Sequence, residues 1–535
     1  MHQSHWLTIL IALPALGSLA VALLPKGADE TAKRLALGVS TVIAVLAIVM
    51  SLARFKTNGP RFQLAEDYWW IKAFGVHWAL GVDGVSLTLI LLSVILVPLV
   101  ILASWHDADR SGGAYGPDEA PPQKSVKTYF SLILILEAMM IGVFAATDLF
   151  LFYVFFEAIL VPVYFIIGSY GGAQRSYAAV KFLLYGLFGG FLMLVSVIWV
   201  GVLTSRYFGA PTFMFDGHLI SSDTNGLVQL KAVAGIDPTT FRWLFLGFFI
   251  AFAIKAPLVP FHTWLPDAAG QAPAGAAVLV VGVLDKIGTY GMLRFCLELF
   301  PEASKWFAPV AITLAVVGIV YGAVLAIGQV DLKRLIAYTS ISHFGFITLG
   351  IFAMTSQGQS GAALYMINHG FSTGALFLIA GFLIVRRGSA RIDAYGGVQK
   401  VAPLLAGTFL IAGLSGLSLP GLSSFVSEFL VLVGTFTRYK APAVIATVGI
   451  ILAAVYILWM YQRTMNGPTA PSVSGMRDLS RRELVAVAPI IAIIVALGFF
   501  PKPVLDVINP SVKQTLSRVQ EQDPAPSVAQ NGGRP

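Results

Sequence analysis

The amino-acid sequence predicts an all-α protein that crosses a membrane about 14 times, because it is rich in apolar runs and poor in charge. Of its 535 residues, 57% are hydrophobic and only 12% are charged, whereas soluble domains carry about 25% charged residues. At about 20 apolar residues per crossing, this content limits the count to about 15 helices. Runs such as Phe245–Ile254 lack the alternation that is typical of a membrane barrel. Helices are therefore the predicted spanning elements.

Polar, proline-rich or glycine-rich stretches separate fourteen apolar segments, which are the predicted helices. They centre near residues 15, 43, 94, 137, 158, 190, 249, 285, 318, 345, 374, 418, 451 and 491. The first segment, from Trp6 to Leu24, lacks the basic region of a signal peptide and is long enough to span, so we interpret it as a retained helix. Lysines and arginines concentrate in alternate loops, which the positive-inside rule places in the cytoplasm. Both termini are therefore predicted on the outer face of the membrane.

An internal repeat relates helices 4–8 to helices 9–13. The matching positions are the Asp-Leu pairs at 148 and 331, the prolines Pro257 and Pro420, and Tyr177, Lys181 and Gly186 with Tyr365, His369 and Gly374. Five helices is an odd number, so the second copy must enter the membrane from the opposite side. The sequence thus predicts two inverted five-helix repeats with proline-broken helices, an architecture that secondary transporters use.

These observations divide the chain into five parts. Residues 1–125 hold helices 1–3, residues 126–300 the first repeat and residues 301–465 the second repeat. The last helix and its flanks occupy residues 466–508. Residues 509–535 are polar and are predicted to form a disordered tail.

Composition also excludes several functions. The net charge is +8, but the basic residues are spread over short loops, which argues against a nucleic-acid partner. Cys296 is the only cysteine, so this chain cannot build a thiolate zinc site or a four-cysteine iron–sulfur cluster. The sequence also lacks the G-x-G-x-x-G, Walker A and H-E-x-x-H motifs. We predict no metal and no cofactor on this chain.

Several charged residues lie inside predicted helices, where a charge at mid-bilayer costs about 2.5–3.5 kcal/mol on insertion scales, and four of them are the main candidates. They are Glu157, Lys255, Lys286 and Glu428, each on a different helix. An apolar environment disfavours the charged form of both acids and amines, so such groups can exchange protons near neutral pH. Helix breaks at Pro257 and Pro420 can admit water at this depth. The set predicts a proton relay, and structural ion pairs between helices are the alternative.

Four further residues are candidates for the same relay. They are His262, His343, His369 and Lys181. Imidazole titrates near physiological pH, but a neutral, hydrogen-bonded core histidine is the alternative for each ring. Lys181 lies near a helix end, where it could instead extend to the membrane surface. Asp285 directly precedes Lys286, but adjacent helical residues point about 100° apart, so we do not predict that these two form a pair.

Three motifs resemble the antiporter-like membrane subunits of respiratory complex I over about residues 80–500. They are Phe155-Phe156-Glu157-Ala158 with Pro162, the run from Lys255 to Ala268, and Leu419-Pro420-Gly421 followed by Phe425 and Glu428. The glutamate at position 428 favours one branch of the family, because the resemblance implies a lysine there in the L-type and N-type chains. One departure is Ala269-Gly270, where relatives often carry a histidine.

The resemblance implies a proton-pumping NADH:quinone oxidoreductase of a bacterial cytoplasmic membrane. It implies that Glu157 and Lys255 form a coupled pair, that Lys286 is a central relay and that Glu428 is a terminal site, with the three histidines along a hydrated axis. It also implies that flavin, iron–sulfur clusters and quinone are bound by partner subunits, and that the L-type and N-type chains are among the membrane-arm partners. A subunit of a multisubunit sodium/proton antiporter and a purely structural spacer are the alternatives. The choice between protons and sodium ions stays open.

Overall fold

The computed structural model describes residues 5–109, 121–216, 226–233 and 235–525. Its N-terminal part consists of three long helices and one hairpin. These elements are α1 (Trp6–Leu23), α2 (Asp29–Arg54), β1 (Gln63–Ile71), β2 (Val76–Val82) and α3 (Gly84–Ala103). Asp83 begins α3 with a reciprocal capping box, since its carboxylate accepts from the Ser86 backbone N–H and the Ser86 hydroxyl accepts from the Asp83 N–H.

The next helices form the first predicted repeat. They are α4 (Val126–Ala145), α5 (Leu149–Ala158), α6 (Leu160–Tyr170), α7 (Arg175–Phe208), α8 (Pro238–Lys255), α9 (Trp264–Gln271), α10 (Ala274–Leu279) and α11 (Asp285–Gly291). Two π-helical segments, Val280–Leu284 and Met292–Leu297, flank α11 and make one continuous rod with it and α10. Such wide turns are rare in helices and are frequently found at functional sites.

The remaining helices form the second predicted repeat and the C-terminal part. They are α12 (Pro301–Ile327), α13 (Leu332–Phe352), α14 (Ser356–Arg387), α15 (Pro403–Gly416), α16 (Ser423–Arg438), α17 (Lys440–Met465), α18 (Arg481–Phe499) and α19 (Lys502–Val519). Short 3₁₀ turns occupy Lys72–Phe74, Leu227–Ala232, Ile392–Ala394, Val398–Lys400 and Pro471–Val473.

The prediction of an all-α membrane fold with about 14 crossings is confirmed. Among the described residues, twelve helical stretches are long and apolar enough to cross a membrane, with α5–α6 and the rod from α10 counted as single stretches. The broken helices α8–α9 and α15–α16 correspond to the other two predicted crossings within the described chain. Both breaks fall at the predicted prolines, because proline lacks the N–H that would continue the helical ladder.

The two repeats share a local feature that supports their relation. Asp148 caps α5 and Asp331 caps α13. Each carboxylate accepts a hydrogen bond at 2.9 Å from the backbone N–H of the residue three positions later in the chain. Each aspartate also forms an isolated antiparallel bridge with the loop after the next long helix, to Met214 and to Arg391 respectively. The same cap and the same bridge therefore recur in both halves. The predicted domain limits stay a prediction.

Two elements differ from the prediction. The hairpin of β1 and β2 is missing from it, because helix-period analysis overlooks a short stretch of alternating polar and aromatic residues. The prediction of a disordered tail from residue 509 is wrong as far as Val519, because α19 continues to that residue. This helix buries Ile508, Val512, Thr515, Leu516 and Val519 along one face, and its low overall hydropathy hid that periodicity. Residues 526–535 of the predicted tail lie outside the described chain.

A network of six charged side chains stabilises the side of the molecule that carries the hairpin of β1 and β2. Its members are Arg61, Asp83, Asp216, Arg294, Glu298 and Arg518. Glu298 is the centre, since its carboxylate accepts from Arg61 at 2.6 Å and from Arg518 at 3.0 Å. Burial alone would raise the pKa of Glu298, but the three guanidinium groups more than offset it and hold the pKa below its ordinary value. Three cations and three anions make the network neutral.

Candidate proton-transfer site

Three of the four predicted charged residues lie deep within the helical body. Lys255 ends α8, Lys286 is the second residue of α11, and Glu428 is the sixth residue of α16. Lys286 is fully buried, and Lys255 and Glu428 are each only 4% exposed. Glu157, near the end of α5, is half-buried. Because burying a charge without compensation is costly, each group needs a partner or a chemical role.

Glu157 and Lys255 lie side by side but share no direct hydrogen bond in the described structure. The Lys255 amine donates to the Phe156 carbonyl at 3.2 Å and lies 4.4 Å from the centroid of the Phe156 ring. The buried Oε1 of Glu157 has no hydrogen-bond partner among the described residues and rests on Gly190, where any Cβ would overlap it. The two charges still attract each other. This is a loose pair that can separate without breaking a hydrogen bond between its members.

The break after Lys255 is held open by specific contacts. Pro257 and Pro260 stop the helical ladder, and the freed carbonyl of Ile254 accepts a hydrogen bond at 2.9 Å from the Trp264 indole. His262 lies in this connection, where its ring makes an edge contact with Tyr321 at 5.3 Å between centroids. The His262 Nδ1 atom is buried without a hydrogen-bond partner in the described structure. Polar groups are thus available at the break for water or a proton.

Lys286 connects the first repeat to the second. Its amine donates to the carbonyl of Val281, in the preceding π-helical turn, at 2.5 Å and to Nδ1 of His369 on α14 at 2.6 Å. When Lys286 is an ammonium, Nδ1 of His369 accepts and the neutral ring carries its proton on Nε2, which has no hydrogen-bond partner among the described residues. The next ring is His343 on α13, whose centroid lies 5.2 Å from that of His369. An amine and two imidazoles therefore follow one another across the helix boundary.

Glu428 lies at the far end of this row. The centroid of the Tyr365 ring lies 5.7 Å from that of His343, and the Tyr365 hydroxyl donates to Oε2 of Glu428 at 3.2 Å. The hydroxyl of Ser418, in the break between α15 and α16, donates to the same oxygen. Buried polar groups thus run from Lys286 through both histidines and Tyr365 to Glu428.

A cluster of small polar side chains surrounds the second break and was missed by sequence reasoning. Its members are Asn368, Ser372, Ser415, Ser423, Ser424 and Ser427. Asn368 donates to the Ser423 carbonyl at 2.6 Å, which satisfies backbone polarity near the break. The signal for this cluster was the density of serines around Pro420 in an otherwise apolar segment.

The structure places Lys181 away from the buried row. Its amine forms an ion pair with Asp267 at 2.7 Å, and Asp267 also pairs with Arg334 at 2.7 Å. Lys181 is the seventh residue of α7 and is partly exposed. A relay role for Lys181 stays a prediction.

The fold and this buried row define the class of antiporter-like membrane subunits. Residues 146–453 match the family model described as NADH:quinone oxidoreductase/Mrp antiporter, transmembrane. A chain of respiratory complex I from Thermus thermophilus superposes with a TM-score of 0.83 and 31% identity, covering 96% of this chain and 99% of that one. The Mrp complex from Dietzia sp. contains a chain with a TM-score of 0.80 and 19% identity over 96% of this chain and 99% of that one, which shows the shared fold alone.

Curated relatives narrow the class further. NADH-quinone oxidoreductase subunit M of Mycobacterium tuberculosis is 50% identical over 99% of this chain and 97% of the relative. The subunit of the same name from Rhodobacter capsulatus is 40% identical over 95% of this chain and 96% of the relative. The chain therefore belongs to the family of NADH-quinone oxidoreductase M subunits. The branch that Glu428 indicated is confirmed, and the chain is a multi-pass membrane subunit of an enzyme complex with other subunits as partners.

Proposed function

We propose that this chain carries protons across the membrane along the row Glu157, Lys255, Lys286, His369, His343, Tyr365 and Glu428, driven by quinone reduction elsewhere in the complex. The observation that carries this proposal is the run of buried contacts from Lys286 to Glu428, with the Lys286–His369 hydrogen bond of 2.6 Å at its start. Each member can give up or accept a proton, and amines, imidazoles and carboxyls are the groups that do so near neutral pH when buried.

The loose pair of Glu157 and Lys255 supplies the switch. While the two charges are close, each stabilises the other and the amine stays protonated. When Glu157 moves away, the ammonium loses its counter-charge in an apolar setting and releases its proton towards Lys286. The step breaks no hydrogen bond between the two residues, since the Lys255 hydrogen bond of 3.2 Å goes to a backbone carbonyl and not to Glu157.

The chemistry of the row favours protons over sodium ions. Lys286 and the two histidines present nitrogen atoms, and an ammonium has donors only. A hard cation such as sodium needs oxygen ligands, which carboxylates, carbonyls and water provide. A sodium ion could not pass the Lys286–His369 contact without losing those ligands, whereas a proton can move between the two nitrogens.

The family and the charge pattern support a proposal for the setting of the chain. We place it in a bacterial cytoplasmic membrane beside the L-type and N-type chains, with flavin, iron–sulfur clusters and quinone held by other subunits. An even number of crossings puts both termini on one side, and the lysine and arginine bias makes that side the outer face.

The test uses the intact purified complex in proteoliposomes, with NADH oxidation and proton uptake measured separately. His369→Gln keeps hydrogen bonding but removes the imidazole that links Lys286 to His343. We expect proton pumping per NADH to fall by about an order of magnitude or more while the complex still assembles. His106→Gln, at an exposed histidine outside the row, is the matched control. Wild-type pumping in the His369 variant would contradict this pathway, and pumping that follows a sodium gradient would point to the antiporter alternative.

A further inference from the structure

Asp285 is a buried acid that the row described above does not use. The residue is only 1% exposed, and neither carboxylate oxygen has a hydrogen-bond partner among the described residues. Leaving a buried carboxylate without donors costs free energy, so its presence calls for an explanation. Asp285 precedes Lys286 in the chain and opens α11 directly after a π-helical turn.

Packing against α8 shows which way Asp285 faces. A Cβ at Gly288 would lie 2.5 Å from the Phe252 carbonyl oxygen and 2.6 Å from the backbone nitrogen of Ala256, so the two backbones touch at this point. A Cβ at Gly291 would overlap the Phe252 ring, so later residues of α11 contact earlier residues of α8. Asp285 lies three residues before Gly288, on the same helical face and one turn closer to the break after Lys255.

The side chains of Asp285 and Lys286 on α11 therefore face different helices. The Asp285 carboxylate faces the end of α8 and is attracted by the charges of both Lys255 and Lys286. The Lys286 amine turns to His369 on α14. The angle of about 100° between adjacent residues, which argued against a simple pair, is what lets one turn of helix reach both repeats.

We infer that Asp285 is a proton-carrying residue between Lys255 and Lys286. In the first step the Lys255 ammonium gives a proton to the Asp285 carboxylate, which leaves a neutral amine and a neutral carboxylic acid. In the second step the acid gives that proton to the neutral amine of Lys286, which restores the carboxylate and forms an ammonium. No atom or electron is gained or lost in either step. The inference rests on the proposed function, because it adds a member to the same row.

An acid at this place solves an electrostatic difficulty. Direct transfer would bring two lysines of the same potential charge together in an apolar interior, where like charges repel strongly. A carboxylate between them balances the ammonium charge before and after the transfer, and the intermediate with a neutral amine and a neutral acid carries no charge. A static counter-ion would also reduce the repulsion, but it would never become protonated during turnover.

The experiment compares Asp285→Asn, Asp285→Glu and Lys286→Ala in the intact complex in proteoliposomes. We expect Asp285→Asn to lose pumping per NADH as severely as Lys286→Ala, and Asp285→Glu to retain most of it. Glu137→Gln is the matched control, since Glu137 is equally buried and unpartnered among the described residues but lies on α4, outside the row. Wild-type pumping in Asp285→Asn together with loss in Lys286→Ala would overturn this inference alone. Wild-type pumping in Lys286→Ala would overturn the proposed function as well.

Infrared difference spectra recorded during turnover separate a carrier from a static counter-ion. A carrier gives a transient carboxylic-acid C=O band that shifts in Asp285→Glu, and a static charge gives none. This measurement decides the matter even where Asp285→Asn does not assemble, because the glutamate variant keeps charge and chemistry. A wild-type spectrum without such a band, or a band that Asp285→Glu leaves unshifted, would overturn the inference.

Discussion

The two broken helices place their charge on opposite sides of the break. In the first broken helix, Lys255 is the last residue before the break and lies two positions before Pro257. The residue two positions ahead of Pro420 in the second is Ser418, which is neutral, and the charge is carried by Glu428 beyond the break. The Ser418 hydroxyl donates to that glutamate.

The position in the second repeat that corresponds to Glu157 extends this contrast. At the repeat offset of 331 − 148 = 183, the position that matches Glu157 is Ser340. Ser340 is buried and its hydroxyl donates to the carbonyl of Ile336 in its own helix. The second repeat therefore carries no charge at this position, and Glu428 is held by hydroxyl donors. The two repeats thus share a backbone device but differ in chemistry: the first places an acid and an amine on separate helices, whereas the second holds one acid between hydroxyl donors.

The largest effect is expected where the two repeats meet, at Lys286. Lys286→Arg keeps a positive charge but fixes it, because guanidinium does not deprotonate in proteins. We expect pumping per NADH to fall nearly as far as in Lys286→Ala, by about two orders of magnitude. Proteoliposome assays with assembled complex check this. Full activity with arginine would mean that only a static charge joins the repeats.

A strong effect is also expected at the second break. Glu428→Gln keeps shape and most hydrogen bonding but removes the titratable proton. Pumping should fall sharply while assembly is preserved. Ser418→Ala removes one donor to the same carboxylate and is expected to reduce pumping only a few-fold, because Tyr365 still donates. Unchanged proton stoichiometry in Glu428→Gln would remove this acid from the pathway.

The first break is tested by a double-mutant cycle on Glu157→Gln and Lys255→Met. If the pair is a switch, the double variant should pump barely less than either single variant, because both singles already disable the same step. A structural pair predicts instead that each single variant loses about 3–5 kcal/mol of stability and that the double variant recovers it. Assembled complex and pumping are scored separately. Recovery of both assembly and pumping in the double variant would show that the pair is only structural. The two breaks would then no longer differ in the way described above.

The smallest effect concerns stability, away from both breaks. The pKa of Glu298 is held below its ordinary value, so the unfolded chain binds the proton first as the pH falls. The stabilisation is complete above the ordinary glutamate range and is lost as the pH falls through the lowered pKa. We expect thermal unfolding of the complex to shift less with acidification in Glu298→Gln than in wild type. Glu302→Gln, at an exposed neighbour, should leave the wild-type slope unchanged.

Helix positions and the buried charges could be predicted because they depend on local composition. Every predicted helix centre falls inside a helix or, at residue 418, inside the second break. The partners could not be predicted, because they depend on helix rotation. A π-helical turn before Asp285 sets where Asp285 and Lys286 point, and no periodicity in the sequence marks that turn. Tyr365 was noted only as a repeat position, and its contact with Glu428 exists because α14 packs on α16.

The charged network on the hairpin side also bears on how the chain is made. Its members are spread over 518 − 61 = 457 positions, and Arg518 is the last of them to be synthesised. Until it arrives, three acids face two arginines, and Glu298 and Asp216 each lack a cation that later binds them. Charge neutrality of this network therefore depends on Arg518. A chain that stops short of Arg518 leaves the buried Glu298 with one cation fewer, and we expect it to be less stable.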